Sequence, residues 1–152
     1  MRREVMPRVG GPKAAYIASA FFSAAGLPLS AYLISPPGIP QFCEIGNIFS
    51  CEAVIQSEYS RIFGIPVAAL GAGWFGVALF LSVLAIKKER GGYYLLGWSA
   101  LGVIGALALL YLEVFQIGSI CLLCTMAHAL GAAVFASAFL ARIWSQPPIT
   151  SG

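Results

Sequence analysis

The sequence predicts an all-α membrane protein: a four-transmembrane-helix bundle with a long outer loop and a short interfacial helix between the first two spans. Three observations carry this reading. Hydrophobic residues make up 59% of the 152 positions and charged residues only 10%, whereas a soluble domain averages about 25% charged. The chain therefore lacks the polar surface that would cover a water-soluble fold. Four long intervals, Ala14–Cys43, Ile62–Ile86, Gly91–Leu112 and Val114–Ala141, contain no Asp, Glu, Lys or Arg. A helix crossing a ~30 Å hydrocarbon core needs about 20 apolar residues, and each interval supplies them.

The spans are placed at 14–34, 67–86, 93–115 and 120–142, with an outer loop at 35–66, and the whole chain, 1–152, is read as one membrane domain. Buried helices of a soluble protein would carry a polar face, and these segments have none. The first apolar run follows Arg2, Arg3, Arg8 and Lys13 and exceeds the roughly 7–15 residues of a cleaved signal, so it is read as a span. Lys and Arg set the orientation, because cytoplasmic segments are enriched in them. Of nine such residues, only Arg61 lies in the first connection; the others are Arg2, Arg3, Arg8, Lys13, Lys87, Lys88, Arg90 and Arg142. The expectation is a multi-pass cell-membrane protein with both termini cytoplasmic and the first and third connections on the extracytoplasmic face. The net charge of +3 is small and collects at helix ends, and no nucleic-acid partner is assigned.

All four cysteines fall on that outer side. Cys43 and Cys51 lie in the first connection, and Cys121 and Cys124 open the fourth span as CLLC. An extracytoplasmic face tolerates disulfides. Two thiols three apart at a helix start can exchange between dithiol and disulfide, and the unpaired N–H groups there favour a thiolate. Ser119 is a candidate cap for that turn. A zinc site using all four cysteines is an alternative, although the gap between Cys43 and Cys51 is wide for a zinc knuckle. Haem attachment is excluded, because Thr125 rather than His follows Cys124.

The outer loop is longer than connections of ~12–15 residues, beyond which loops are commonly functional. Pro36, Pro37 and Pro40 stiffen its start. Beyond Cys51, the residues Ile55, Tyr59, Ile62 and Phe63 follow helical spacing and predict a short amphipathic helix across the bundle mouth, capped by Ser50. A structural disulfide between Cys43 and Cys51 is the alternative use of the loop pair. In the fourth span Cys121, Cys124, Thr125 and His128 are spaced i, i+3, i+4 and i+7 and are expected on one face. His128 is either functional, as ionisable residues at membrane depth usually are, or a neutral hydrogen-bonded side chain. Glu113, near the outer end of the third span, is expected to reach interfacial water. Small residues at Ala68, Ala72 and Gly76, and at Gly102 and Ala106, predict close helix packing with room for a flat ligand.

Taken together, the chain resembles the vitamin K epoxide reductase family, including its bacterial and archaeal disulfide-forming members. The resemblance rests on Cys43, on Cys51 followed by Val54, Ser57 and Phe63–Pro66 (FGIP), and on CLLC with Thr125 and His128. It implies a quinone bound in the bundle near the outer surface, with Cys124 facing it, Cys121 exchanging with the loop pair, and Ser57 offering its hydroxyl to a quinone oxygen. Thr125 and His128 are expected beside the same ligand. The animal enzymes hold their quinone with an Asn in the second span and a Tyr beyond the CxxC; here Ala72 and Gly73 stand near the first position and His128 in place of the second. That favours a respiratory quinone, of ubiquinone or menaquinone type, over vitamin K epoxide. The chain ends ten residues after Arg142, so a separate thioredoxin-like redox protein is the expected partner.

Disulfide formation also needs a two-electron acceptor. No GxGxxG nucleotide-binding pattern follows a strand here, which leaves a lipid-soluble quinone. The expected function is oxidation of a partner dithiol, with electrons passing through Cys43/Cys51 and then Cys121/Cys124 to that quinone. The alternatives are a vitamin K quinone or epoxide reductase and a metal-binding membrane protein; no metal is assigned.

Overall fold

A computed structural model describes residues 11–145, so Arg2, Arg3 and Arg8 of the orientation argument lie outside the described residues. Four helices among the described residues are long and apolar enough to cross a membrane. They are α1 (Pro12–Ile34), α3 (Val67–Lys87), α4 (Glu89–Tyr111), which continues as a π-helical turn over Leu112–Ile117, and α5 (Leu122–Ser145). A short helix, α2 (Cys51–Ile55), lies between α1 and α3. The protein is a four-helix membrane bundle. α1 packs on α3 and α5, and α4 packs on the same two helices, so the four form a closed ring.

Lipid removes the hydrophobic drive between helices, so close fit and interhelical hydrogen bonds must hold the ring. Ala78, Leu95, Val134 and Ala138 are fully buried inside it, while Phe21, Phe80 and Ile104 face outward. Buried hydroxyls tie α1 to α3: Ser19 and Ser82 share a hydrogen bond of 2.9 Å, and the Ser82 hydroxyl also approaches the Ala78 carbonyl oxygen at 2.7 Å. Between α3 and α4 the two indoles exchange bonds. Trp74 Nε1 donates to the Trp98 carbonyl and Trp98 Nε1 to the Trp74 carbonyl, at 3.3 and 3.1 Å.

The connection between α1 and α3 departs from the expected amphipathic stripe. α2 ends at Ile55, because Gln56 closes it and Ser57 takes an extended conformation. The Ser57 hydroxyl donates to the Val54 carbonyl at 2.7 Å, the local competition by which serine ends helices. Ile62 lies instead on a small hairpin, β3 (Arg61–Ile62) against β4 (Ile65–Pro66). Phe63 and Gly64 form its tip, both with positive φ, and Phe63 is fully exposed. Two successive left-handed residues suit a two-residue hairpin turn, and helical spacing alone does not reveal them.

Candidate redox site

The first half of the loop is folded around its cysteine pair. β1 (Glu44–Ile45) pairs antiparallel with β2 (Phe49–Ser50), with Glu44 opposite Ser50. Cys43 precedes β1 and Cys51 follows β2, so the hairpin brings them together as a disulfide with Cα atoms 5.6 Å apart. Ser50 caps α2, as its position predicts: its Oγ accepts the Ala53 N–H at 3.2 Å. Glu44 Oε1 accepts the Glu52 N–H at 3.0 Å. That bond, followed by the Ser50 hydroxyl, holds the Glu44 carboxyl below the usual carboxylate range.

The same hairpin is stitched to the start of α5. Gly118, in the left-handed conformation that glycine adopts without strain, ends the π-helical turn and reverses the chain. Ile120 then donates its N–H to the Ile48 carbonyl at 2.8 Å and accepts the Ser50 N–H at 3.2 Å. Since Cys51 follows Ser50 and Cys121 follows Ile120, this zipper sets the two sulfurs side by side. The sulfurs of Cys43, Cys51 and Cys121 all lie within 4.8 Å of one another, and all three residues are fully buried. Cys121 and Cys124 are free thiols. Cys121 also occupies the cap position of α5, and its Sγ accepts the Cys124 N–H at 3.2 Å. The cap expected from Ser119 is thus provided by sulfur, while the Ser119 N–H goes to the Glu113 carbonyl.

Below the cysteines a cavity of about 570 Å³ opens between the helices, within the range that holds small ligands. Gly71, Gly102, Ala106 and Gly131 form parts of its wall, and the side chains of Ser57, Trp74, Glu113, Cys124 and His128 also line it. The small residues read as packing positions thus leave space as well as contact. The Nδ1 atom of His128 is buried and has no hydrogen-bond partner among the described residues. Cys121 is not on the wall; it lies behind it, among the loop sulfurs.

The face expected to hold Cys121, Cys124, Thr125 and His128 is therefore divided. Cys124 and His128, one helical turn apart, share the cavity, but Thr125 is exposed and off the wall. One residue along a helix rotates a side chain by about 100°, enough to carry Thr125 away. Its hydroxyl donates to the Cys121 carbonyl at 2.9 Å, which ties the turn rather than reaching the cavity. Glu113 also departs from expectation. It is only 4% exposed and its Oε2 accepts the Cys121 N–H at 3.1 Å.

Residues 14–139 match the profile of the Vitamin K epoxide reductase family. The chain belongs to the vitamin K epoxide reductase family. A similar protein is the thiol-disulfide oxidoreductase LTO1 of Arabidopsis thaliana, 31% identical over 117 residues that cover 70% of this chain and 31% of the relative. The chain thus spans about a third of that relative's length.

As a vitamin K epoxide reductase family member with four helices long and apolar enough to cross a membrane, the chain is a multi-pass membrane protein. Two residues of the site were not singled out for it in the sequence. Trp74 carried no signal beyond being aromatic in a span. Glu113 did carry one, since it alone interrupts the uncharged stretch from Gly91 to Ala141, and a carboxyl at membrane depth is a functional signal by default.

Proposed function

We propose that this chain oxidises a dithiol on a thioredoxin-like protein and passes the two electrons to a membrane quinone of ubiquinone or menaquinone type. One observation supports this above the rest: the Cys121 sulfur sits against the loop disulfide, whereas Cys124, three residues on, lines the cavity. The two thiols of one CxxC thus face the two ends of an electron path.

The cavity residues suit a quinone. Its ring is flat and apolar, which matches a wall of glycine, alanine and Trp74. Its oxygens need donors, and His128 and Ser57, each with a side chain able to donate, stand on that wall. Ser57 now donates to Val54, whose carbonyl also receives the Ser57 N–H at 3.3 Å, so rotating the hydroxyl toward a ligand leaves that carbonyl satisfied. Thr125 serves the site by holding the Cys121 turn. We place the chain among prokaryotic-type disulfide-forming members, acting as one membrane domain with the cysteines extracytoplasmic and the termini cytoplasmic.

The chemistry follows as thiol–disulfide exchange. A partner thiolate attacks Cys43, releasing Cys51 as thiolate, and the second partner thiol resolves the mixed disulfide. Cys51 attacks Cys121 of an oxidised Cys121–Cys124 pair and expels Cys124 as thiolate; Cys43 then displaces Cys121 and restores the loop disulfide. Such exchange is fastest when the attacking thiol titrates near ambient pH. A bound quinone supplies the sink for two electrons and two protons. Anaerobic titration of the reduced protein with a soluble quinone tests the reading. Each hydroquinone formed is expected to remove two thiols; thiols that persist alongside excess quinone would refute it.

A further inference from the structure

Glu113 performs several tasks at one turn. Its carbonyl accepts the N–H groups of Gly118 and Ser119, and its carboxyl accepts the Cys121 N–H. It therefore grips both ends of the segment that delivers the CxxC. It sits in a π-helical turn, a rare distortion that is frequent at functional sites. The carboxyl lines the same cavity as Cys124 and makes no second hydrogen bond among the described residues. Holding the turn needs only an acceptor oxygen, which an amide supplies without the desolvation penalty of an ionisable group. An acid at this depth implies work that an amide cannot do.

We propose, resting on the quinone reading above, that Glu113 carries a proton in the step that closes the Cys121–Cys124 disulfide, taking it from the Cys121 thiol and handing it to a quinone oxygen. In that step two S–H bonds break and one S–S bond forms, while two electrons and two protons pass to the quinone, which becomes hydroquinone. The Cys121 proton leaves for the Glu113 carboxylate as its sulfur closes on Cys124. The carboxyl then releases that proton to the acceptor and ends as it began. The other proton comes from Cys124, which faces the cavity directly. Among the other groups on the wall, His128 lies about 6 Å deeper along α5 than Cys124, and Arg61 comes from the loop hairpin. Of these three wall groups, only Glu113 is bonded through its side chain to the CxxC backbone.

The test compares wild type, Glu113→Gln and Glu113→Asp as full-length protein in nanodiscs. Infrared difference spectra are recorded while glutathione buffers, without quinone, oxidise and reduce the cysteines. Wild type is expected to show a buried-carboxyl band that changes with the redox state and disappears in Glu113→Gln. In single-turnover mixing with a soluble quinone, Glu113→Gln is expected to slow hydroquinone formation by about 10²-fold, the lower end for a positioned acid–base group. Reduction of Cys43–Cys51 by dithiol should be unchanged, and Glu113→Asp should recover part of the rate. A redox-silent carboxyl region in wild type, or Glu113→Gln turning over within twofold of wild type, overturns the proposal and leaves Glu113 a clasp for the turn. The infrared signal is read on wild type, so a poorly folding variant does not remove the test. Wild type that leaves quinone unreduced refutes the quinone reading instead, and delivery of the proton to quinone falls with it. Uptake of the Cys121 proton is then judged by the infrared band alone.

Discussion

The Ser50 N–H donates to the Ile120 carbonyl at 3.2 Å, and this backbone bond joins the residue before Cys51 to the residue before Cys121. Two segments some seventy positions apart in sequence are thus aligned by main-chain groups, independent of side-chain chemistry. Cysteine substitutions should leave that alignment in place, so trapped intermediates report the native route of exchange.

Replacing Cys124 with Ser removes the thiol that would resolve a Cys51–Cys121 mixed disulfide from the helix side. That bond is expected to accumulate under oxidising conditions and to appear as a loop–α5 cross-link in non-reducing peptide maps. In Cys121→Ser, the Cys43–Cys51 disulfide should instead stay intact. Capture of Cys43 on Cys121 would exchange the roles of the loop cysteines. Absence of any cross-link would mean that the two pairs do not communicate.

Ser57→Ala is expected to slow quinone reduction several-fold, the effect of losing a neutral hydrogen bond worth about 0.5–1.5 kcal/mol. Thiol exchange with the partner should be unaffected, since the Ser57 side chain lines the cavity and the loop sulfurs lie behind it. Stopped-flow measurement of the two half-reactions separates them. Equal quinone rates in mutant and wild type would remove Ser57 from the binding wall.

Glu44 provides a pH dependence of known sign. Its charged form accepts the Glu52 N–H, and its folded pKa lies below the ordinary value. The contribution is complete above the ordinary carboxylate range and is lost as pH falls through the lowered folded value. Hydrogen-exchange protection of the Glu52 amide should therefore fall on acidification in wild type, and Glu44→Gln should flatten that dependence. Identical pH profiles in the two proteins would show that the charge does not hold the start of α2.

Orientation is open to labelling in intact, reduced cells. A membrane-impermeant thiol reagent should reach a cysteine placed at Phe63, the fully exposed tip of the outer-loop hairpin, and should fail to reach one placed at Lys88, in the turn between α3 and α4. The opposite pattern would invert the topology while leaving the exchange chemistry intact.

Four membrane helices were legible from composition and from the uncharged runs, because a segment that crosses the hydrocarbon core must be predominantly apolar whatever its neighbours are. The CxxC was legible for a similar reason, since its function lies in a spacing along one turn of chain. The capping role of Ser50 was visible because a cap acts within three residues. Tertiary structure alone decided the rest. That Cys121 faces the loop sulfurs while Cys124 faces the cavity depends on the Ile48–Ile120–Ser50 zipper, a backbone pairing with no side-chain signature. Phe63 reads as helical by its spacing, yet it sits on a hairpin whose turn geometry outweighs periodicity. Glu113 stands out in the sequence as a charge at depth, but its burial and its bond to Cys121 arise only when the π-helical turn folds back on the fourth membrane helix. Local rules determine what each segment is; partners distant in sequence determine what each side chain can touch, and that contact is where the chemistry resides.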